Sequence, residues 1–300
     1  MAVVLITGCS SGIGLASALA FARAGDRVYA SLRDPDSDAP WSEIASREAL
    51  DIRAVGLDLT EPDSFDSCIN HIVRDSGCID VLVNNAGVWT AGALEDLSEI
   101  ALRRVMDTNV LGPLLLTRAV LPQMRAQASG YIIMISSLSG VAGLPGDVAY
   151  SASKFALEGA AEALRHEVDR WGIHVALVEA ALYATGLFDG SFDGANSVPP
   201  DYPENSPYRV LVEHRLSALR NRLPDALDPA GLAELLVTIS RSDGIRLRWQ
   251  ADELSRRVCA SLMGQSDSER DGILRAAADL DWWSEGKPAP EHDGTTEASQ

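Results

Sequence analysis

The chain has 300 residues, of which 46% are hydrophobic and 23% charged, and a formal net charge of −18 at pH 7. The composition is ordinary for a globular protein, and this length can bury one sizeable core or two modest ones. A strongly negative surface repels phosphate backbones, so we do not expect nucleic-acid binding. Arg118 and Glu179 interrupt the best candidate apolar runs, so no membrane span is expected.

The four cysteines are scattered and form no C-x-x-C pair. This spacing argues against a zinc site and against a disulfide framework. Reduced, packed thiols are typical of a reducing cytoplasm. The N-terminus also lacks the basic segment of a signal peptide. We therefore expect a cytoplasmic protein without a bound metal.

The chain begins with a predicted strand over residues 2–7, followed by a glycine-rich turn and a helix that stops at Gly25. Glycines let a backbone turn tightly and approach a pyrophosphate, whose charge a helix N-terminus favours. A glycine-rich turn without a ligand is the alternative, but the strand–turn–helix context disfavours it. The predicted cofactor-binding residues of the turn are Gly8, Ser10, Ser11, Gly12, Ile13 and Gly14.

The end of the second predicted strand, Arg27–Leu32, bears on the choice of cofactor. An acidic residue there would bind a ribose 2′-hydroxyl and repel a 2′-phosphate. Leu32 stands where the acid is expected, and Arg33 follows, so Arg33 with the Ser11 hydroxyl favours NADP(H) over NAD(H). A shift of one residue would make Asp34 the acid of an NAD-type site, and a solvated surface role for Arg33 is the other alternative.

Further strands are predicted at 52–57 and 79–83, and a helix precedes each of them, at 40–50 and 62–76 respectively. This alternation predicts a doubly wound parallel sheet of the Rossmann type with helices on both faces. Ligands of such sheets bind at the carboxyl ends of the strands. The candidate cofactor-binding residues at these ends are Asp58, Leu59, Asn85, Ala86 and Gly87.

A long helix is predicted over residues 99–127, with Pro113 in its middle. Proline has no N–H, so the carbonyl of Asn109 loses its helical partner. A buried carbonyl must find another donor, and we predict a bound water at Asn109. A simple proline kink is the alternative.

Tyr150 and Lys154 lie on a predicted helix, 148–171, which follows a strand at 131–136 and precedes one at 174–179. Their spacing of four places both side chains on one face, one turn apart. A neighbouring ammonium lowers the pKa of a phenol, so the pair is predicted to transfer protons near neutral pH. The choice of lysine is informative because only two of the 25 basic residues are lysines. An exposed Tyr and Lys on a surface helix is the alternative.

With these pieces in place, the chain resembles the short-chain dehydrogenase/reductase family over roughly residues 2–190. The run VVLITGCSSGIG, with VYASLRDP and GLPGDVAYSASKFALEG, is most similar to the branch that acts on steroids, retinoids and similar apolar alcohols. In that branch the Leu-Arg strand end accompanies NADP(H). The matching motifs are Thr7-Gly8-x-x-x-Gly12-Ile13-Gly14, Asn84-Asn85-Ala86-Gly87, Asn109, Ser137 and Tyr150-x-x-x-Lys154.

The resemblance implies that Tyr150 exchanges a proton with the substrate oxygen, Ser137 hydrogen-bonds that oxygen, and Lys154 holds the nicotinamide ribose. It also implies that Asn109 anchors a relay water, that Asp58 contacts the adenine, and that the protein is a homodimer or homotetramer. One departure stands out, because Ala180-Ala181 replaces the usual Pro-Gly after the sixth strand, while Thr185 is kept. Two alanines favour helix and do not preset the φ angles of a turn.

Residues 1–283 are predicted to form a single domain, in which residues 186–225 are a lid over the substrate. A surface loop without contacts is the alternative for part of that lid. Helices are expected at 211–222 and 229–241, a seventh strand at 245–249, and a helical extension over 250–283 that the tryptophans 282 and 283 anchor. The polar tail, 284–300, is expected to be disordered.

These features favour an oxidoreductase that transfers a hydride between NADP(H) and a carbonyl or secondary alcohol of a small apolar substrate. Two alternatives remain open at this point. The same residues could serve epimerisation or another reaction without net redox change, which Ala180-Ala181 favours. A catalytically silent cofactor-binding protein is the other.

Overall fold

A computed structural model describes residues 1–37, 39–188 and 202–290. Its centre is one seven-stranded sheet in which every neighbouring pair is parallel, in the order β3-β2-β1-β4-β5-β6-β7. The chain order reverses between β1 and β4, which opens a crevice at their carboxyl ends. The strands are β1 (Val3–Ile6), β2 (Arg27–Leu32), β3 (Ile52–Gly56), β4 (Val81–Asn84), β5 (Gly130–Ile135), β6 (Ile173–Glu179) and β7 (Arg248–Gln250).

Eleven α-helices occur in the described residues, so the predicted α/β architecture is confirmed. The five inner strands are almost wholly buried because both faces of the sheet are covered, whereas the edge strands β3 and β7 are partly exposed. The helices are α1 (Gly12–Arg23), α2 (Ser42–Glu48), α3 (Asp63–Ser76), α4 (Glu99–Met106), α5 (Gly112–Gln127), α6 (Val148–Val168), α7 (Arg209–Arg222), α8 (Pro229–Ser240), α9 (Glu253–Leu262), α10 (Asp267–Ala278) and α11 (Asp281–Ser284).

Alternate residues of each strand supply two separate hydrophobic cores. Leu5 faces the core that contains α3, α5 and α6, whereas Val4 and Ile6 face the core that contains α1 and α8. This alternation follows from the two-residue period of a strand. Helix α6 is thereby pressed against the sheet along its length, and its buried face points at the strands.

The predicted long helix at 99–127 is interrupted. A π-helical turn, Asp107–Leu111, separates α4 from α5, and the N–H of Gly112 bonds back to Asp107, five residues earlier. The physical reason is the one the sequence indicates, since Pro113 cannot supply the normal bond to Asn109. The water predicted at Asn109 stays a prediction.

The C-terminal extension packs as helices against the rest of the chain. Trp282 is buried and meets the ring of His214 on α7 at 5.3 Å between centroids, so it is a packing anchor as expected. Trp283 lies at the surface, 36% exposed. The seventh strand begins later than predicted, at Arg248, because Ile245 is exposed in the preceding turn.

Parts of the predicted lid and tail, residues 189–201 and 291–300, lie outside the described residues. Within the described part of the lid, a short 3₁₀ turn, Gly186–Phe188, is followed later by α7. No helix in the described ranges is both long and apolar enough to cross a membrane.

A substitution at Gly14 tests how tightly the glycine-rich turn packs between the first strand and α1. A Cβ on Gly14 would lie 2.1 Å from the Gly8 carbonyl oxygen and 2.6 Å from the Asn85 amide. The nearer contact cannot be relieved by a rotamer change, because the Gly8 oxygen is a backbone atom. We expect Gly14→Ala to lower the free energy of unfolding by on the order of 3 kcal/mol, measured by urea denaturation.

Gly272→Ala is the matched control, since Gly272 is also helical but a Cβ there would meet nothing within 4 Å. It should raise stability slightly, by up to about 1 kcal/mol. Equal effects of the two substitutions would show that the turn is not tightly packed.

Candidate active site

The glycine-rich turn is held from below by the end of β4. Gly8 and Gly12 have positive φ angles of 71° and 55°, which favour glycine. The Asn85 amide donates to the carbonyls of Thr7 (2.8 Å) and Gly8 (3.2 Å), and the Thr7 hydroxyl accepts from the Asn85 N–H (2.9 Å). The side chain of Asn85, predicted to line the cofactor, therefore braces the turn itself.

The turn leads into the start of α1, which has no side-chain cap and no acidic residue in its first turn. Ser10 and Ser11 are exposed beside it. Helix N-termini with uncapped N–H groups favour anions. A Cβ on Gly12 would meet Thr185 at 2.8 Å, so the segment after β6 reaches the same turn. This narrow backbone cradle fits the pyrophosphate of a dinucleotide.

Strand β2 ends at Leu32, in register with Gly56 of β3, as the sequence indicates. The exposed Arg33 follows and lies near enough to Asp58 for its charge to lower the pKa of that carboxyl, after a larger effect from a hydrogen bond with the Thr60 side chain. Asp34 turns its carboxylate onto the N–H of Asp36 (3.1 Å). Arg33 therefore lies at the same strand ends as Asp58.

Asn109 ties the π-helical turn to two other segments. Its side-chain oxygen accepts from the Val88 N–H (2.8 Å), and its amide donates to the Val88 carbonyl (2.8 Å) and the Ser153 hydroxyl (3.0 Å). A Cβ on Gly87 would come within 3.4 Å of the same oxygen. The Asn109 side chain thus fixes the loop after β4 against α6. Its main-chain carbonyl is the group for which a relay water is predicted.

Tyr150 is buried at the start of α6, 8% exposed, and its phenol is hydrogen-bonded to Ser137. Burial raises the pKa of Tyr150, the negative charge of Asp147 raises it further, and the bond from Ser137 lowers it. Ser137 also accepts a hydrogen bond from the Ser139 N–H (3.1 Å). The predicted serine and tyrosine therefore meet at the carboxyl end of β5.

Lys154 lies one turn further along the same face and is 5% exposed. Its ammonium donates to the carbonyl of Ile135 (2.8 Å) and lies 5.5 Å from the centroid of the Tyr150 ring. Burial lowers the pKa of Lys154 to about 8, against an opposing contribution from Glu158. A buried lysine of this kind can change protonation near neutral pH.

One expectation about this pair was wrong for the protein on its own. The pKa of Tyr150 is raised rather than lowered, because burial and Asp147 outweigh the hydrogen bond from Ser137. The ammonium of Lys154 is directed at the Ile135 carbonyl and not at the phenol oxygen. The side chains as they stand favour a protonated Tyr150, ready to donate.

Two carboxylates beside this pair were missed by the sequence reasoning. Asp147 is the residue before α6 and accepts from the Trp89 indole N–H (2.5 Å) and the Ser139 hydroxyl (3.1 Å). Glu158, 6% exposed, lies one turn beyond Lys154 and accepts from Arg248 (2.8 Å). The i, i+4, i+8 spacing of Tyr150, Lys154 and Glu158 was a signal that could have revealed the second.

The segment after β6 does not form a helix despite Ala180-Ala181. It has no regular structure apart from an isolated bridge between Tyr183 and Leu227. The Asp252 carboxylate accepts from the Ala181 N–H (3.1 Å) and the Tyr183 hydroxyl (3.2 Å). Asp252, the residue before α9, thus anchors the segment in which Ala180-Ala181 replaces the usual Pro-Gly. Thr185 consequently keeps its place beside Gly12.

The remaining predicted cofactor contacts are less direct. The Leu59 side chain is buried in the core, where a Cβ on Gly112 would lie 2.6 Å from it. Ala86 packs against Gly8, and Ile13 packs on the core that contains α1. The described residues contain no group of three acidic, histidine or cysteine side chains that could hold a metal ion.

Comparisons with known proteins show the family to which the chain belongs. A family model described as short chain dehydrogenase matches residues 2–195. Mouse 17-beta-hydroxysteroid dehydrogenase type 1 is 36% identical over 253 residues, covering 82% of this chain and 72% of that protein. Bovine retinol dehydrogenase 8 is 42% identical over 181 residues, 59% of this chain and 57% of that protein.

Among solved structures, a short-chain dehydrogenase from Streptomyces avermitilis superposes with a TM-score of 0.74 at 31% identity, covering 95% of this chain and 97% of the other. The sheet order, the crevice and the sequence matches together define the class. The chain belongs to the short-chain dehydrogenase/reductase family, whose members are nicotinamide-dependent oxidoreductases.

The influence of Glu158 on Lys154 can be measured directly. Glu158 raises the pKa of Lys154, whereas burial lowers it to about 8. We therefore expect Glu158→Gln to lower the pKa of Lys154 below about 8, because a favourable negative charge is removed. The chain has only two lysines, so a pH titration of ¹³Cε-lysine by NMR gives two signals, and Lys287→Arg assigns them.

Glu162→Gln is the control, because Glu162 also binds Arg248 (3.0 Å) but is 56% exposed in its side chain. It should leave the Lys154 titration unchanged. An equal shift in both variants would mean that Arg248, and not Glu158, controls the lysine.

Proposed function

We propose that this protein transfers a hydride between NADP(H) and a carbonyl or secondary alcohol of a small apolar substrate, with Tyr150 as the acid/base. The observation that carries this proposal is the cluster at the carboxyl end of β5, in which a half-buried Ser137 meets the buried Tyr150 and Lys154. A bound nicotinamide supplies the hydride, which no side chain can provide.

The protein's own part is orientation and proton exchange. Tyr150 gives its proton to the substrate oxygen in reduction and accepts one in oxidation, while Ser137 hydrogen-bonds the same oxygen and stabilises developing charge. Lys154 places a positive charge near the phenol, and its ammonium would hydrogen-bond a hydroxyl of the nicotinamide ribose. The backbone cradle from Gly8 to Gly14 and the start of α1 would hold the pyrophosphate.

The other proposed cofactor contacts lie along the same strand ends. Arg33 and Ser11 would bind the 2′-phosphate, and Asp58 the adenine. Their common position at the carboxyl ends of β1, β2 and β3 supports the assignment. The further proposed contacts are Ser10, Ile13, Leu59, Asn85, Ala86, Gly87 and Thr185.

An apolar substrate is supported by the side chains around the crevice. Trp89 and Phe188 meet edge to face at 5.1 Å between centroids, close to the hydrogen bond from Trp89 to Asp147. The mouse and bovine relatives are named for a hydroxysteroid and for retinol. A steroid-, retinoid- or polyketide-like ketone or alcohol is the substrate class we propose.

Net redox chemistry is favoured over the alternatives. The Ala180-Ala181 departure was the argument for epimerisation, and Asp252 now accounts for how that segment stays in place. A silent cofactor-binding protein would not need a buried tyrosine and lysine at the strand ends.

We also propose a homodimer or homotetramer that pairs through α6. Phe155 is 45% exposed on the outer face of that helix, and Ala152 and Gly159 are exposed beside it. An exposed phenylalanine between small residues suits close packing with a second helix.

Tyr150→Phe tests the reaction. It removes only the hydroxyl, so NADPH reduction of ketones should fall by at least about 10²-fold, as expected for loss of a general acid, while NADPH affinity stays the same. Turnover would be followed by NADPH absorbance across a ketone panel, and affinity by calorimetry. Tyr131→Phe is the control, because Tyr131 bonds Ser242 at the opposite edge of the sheet. A fully active Tyr150→Phe enzyme refutes the proposal.

Arg33→Ala tests the cofactor. Losing the guanidinium should weaken NADPH binding by about 10-fold or more, the scale of one charge-assisted contact, and should leave NADH binding nearly unchanged. Both affinities can be measured by fluorescence titration. Arg47→Ala, an exposed arginine on α2, is the control. Equal wild-type affinities for NADPH and NADH would contradict the assignment.

A further inference from the structure

Asp147 lies where three segments of the active site meet. It precedes α6 by one residue and Tyr150 by three. Its carboxylate accepts from the indole of Trp89, in the loop after β4 (2.5 Å), and from the hydroxyl of Ser139, in the loop after β5 (3.1 Å). It makes no capping hydrogen bond to α6, so helix formation does not explain why a carboxylate is there.

The contact with Ser139 continues to the reacting groups. The N–H of Ser139 donates to the Ser137 hydroxyl (3.1 Å), and Ser137 is bonded to the Tyr150 phenol. A continuous chain of hydrogen bonds and one stretch of backbone therefore runs from Asp147 through Ser139 to Ser137 and Tyr150. Moving the carboxylate would move the serine.

The charges around Asp147 act on the same two groups. Burial raises the pKa of Asp147, while the bonds from Trp89 and Ser139 and the charge of Arg215 on α7 lower it. The Nε of Arg215 is buried without a hydrogen-bond partner among the described residues, so its guanidinium is not committed to another carboxylate there. Ionised Asp147 in turn raises the pKa of Tyr150.

We propose that Asp147 is a positioning residue for the reaction: its charge determines when Tyr150 releases its proton, and its bond to Ser139 keeps Ser137 in line with the phenol. The positive charge of Arg215, on α7, opposes the effect of burial on the pKa of Asp147. The other groups facing Tyr150 are Ser137 and Lys154. The catalytic consequence rests on the function proposed above, but the electrostatic one does not.

The expected sign is definite. A negative neighbour disfavours the phenolate, so removing that charge must lower the pKa of Tyr150. In Asp147→Asn the phenolate should form at lower pH. Ketone reduction, which needs the phenol, should then lose activity at lower pH than in the wild type, with little change in the KM for NADPH.

The titration can be measured without any substrate. Biosynthetic incorporation of 3,5-difluorotyrosine, whose phenol is intrinsically more acidic than that of tyrosine, gives one ¹⁹F signal for each of the six tyrosines, and Tyr150→Phe assigns the relevant one. We expect the Tyr150 midpoint of Asp147→Asn to lie about one pH unit or more below that of the wild type. Asp147→Glu, which keeps the charge, should restore it towards the wild-type value.

Asp96→Asn is the matched control, because Asp96 also accepts two hydroxyls, from Tyr202 (2.5 Å) and Ser206 (2.6 Å). It should shift the signal of Tyr202 and leave that of Tyr150 in place. Asp147→Ser supplies a second neutral side chain in case Asp147→Asn does not fold.

Identical Tyr150 midpoints in the wild type and the neutral Asp147 variants would overturn the proposal, as would a Tyr150 shift of equal size in Asp96→Asn. If the Tyr150 midpoint falls as expected in Asp147→Asn but the wild-type protein reduces no ketone, the electrostatic role stands and the proposed function is rejected. A loss of turnover that is uniform across pH, without a shift, would mean that Asp147 is merely structural.

Discussion

The hydrogen bond from the Lys154 ammonium to the carbonyl of Ile135 joins the reacting helix to the sheet. It places a charged group at the last residue of β5, where water is largely excluded. Burial at this position lowers the pKa of Lys154 to about 8 and raises the pKa of Tyr150. The two pKa values therefore move apart, which leaves a protonated phenol beside a lysine that can lose its proton near neutral pH.

Much of this arrangement could be predicted, because it depends on local sequence. The strand end at Leu32 and the turn from Gly8 to Gly14 each follow from residue type and short-range sterics, whereas the π-helical turn before Pro113 interrupts what was predicted as one long helix. The meeting of Ser137 with Tyr150 also follows, since parallel strands end at one edge of the sheet. The structure bears out these local expectations.

The rest could not be predicted because it depends on contacts between distant residues. Nothing near Ala181 in the sequence indicates that Asp252 would accept its N–H, and nothing near Tyr150 indicates that Trp89 and Arg215 would surround Asp147. The predicted direction of the shift in the Tyr150 pKa was wrong for the same reason. A two-residue pattern contains the helpful lysine but not the burial or the opposing carboxylate.

The C-terminal helices have a consequence beyond packing. Arg270 on α10 reaches across to donate to the carbonyl of Val141 (2.6 Å), in the loop that lies between Ser137 and Tyr150. The same extension packs against α7 through the contact of Trp282 with His214. It therefore contacts both α7 and the loop before Tyr150. The C-terminal helices therefore help to hold the segment that leads to Tyr150, and a change in them would alter the candidate site without replacing any of its residues.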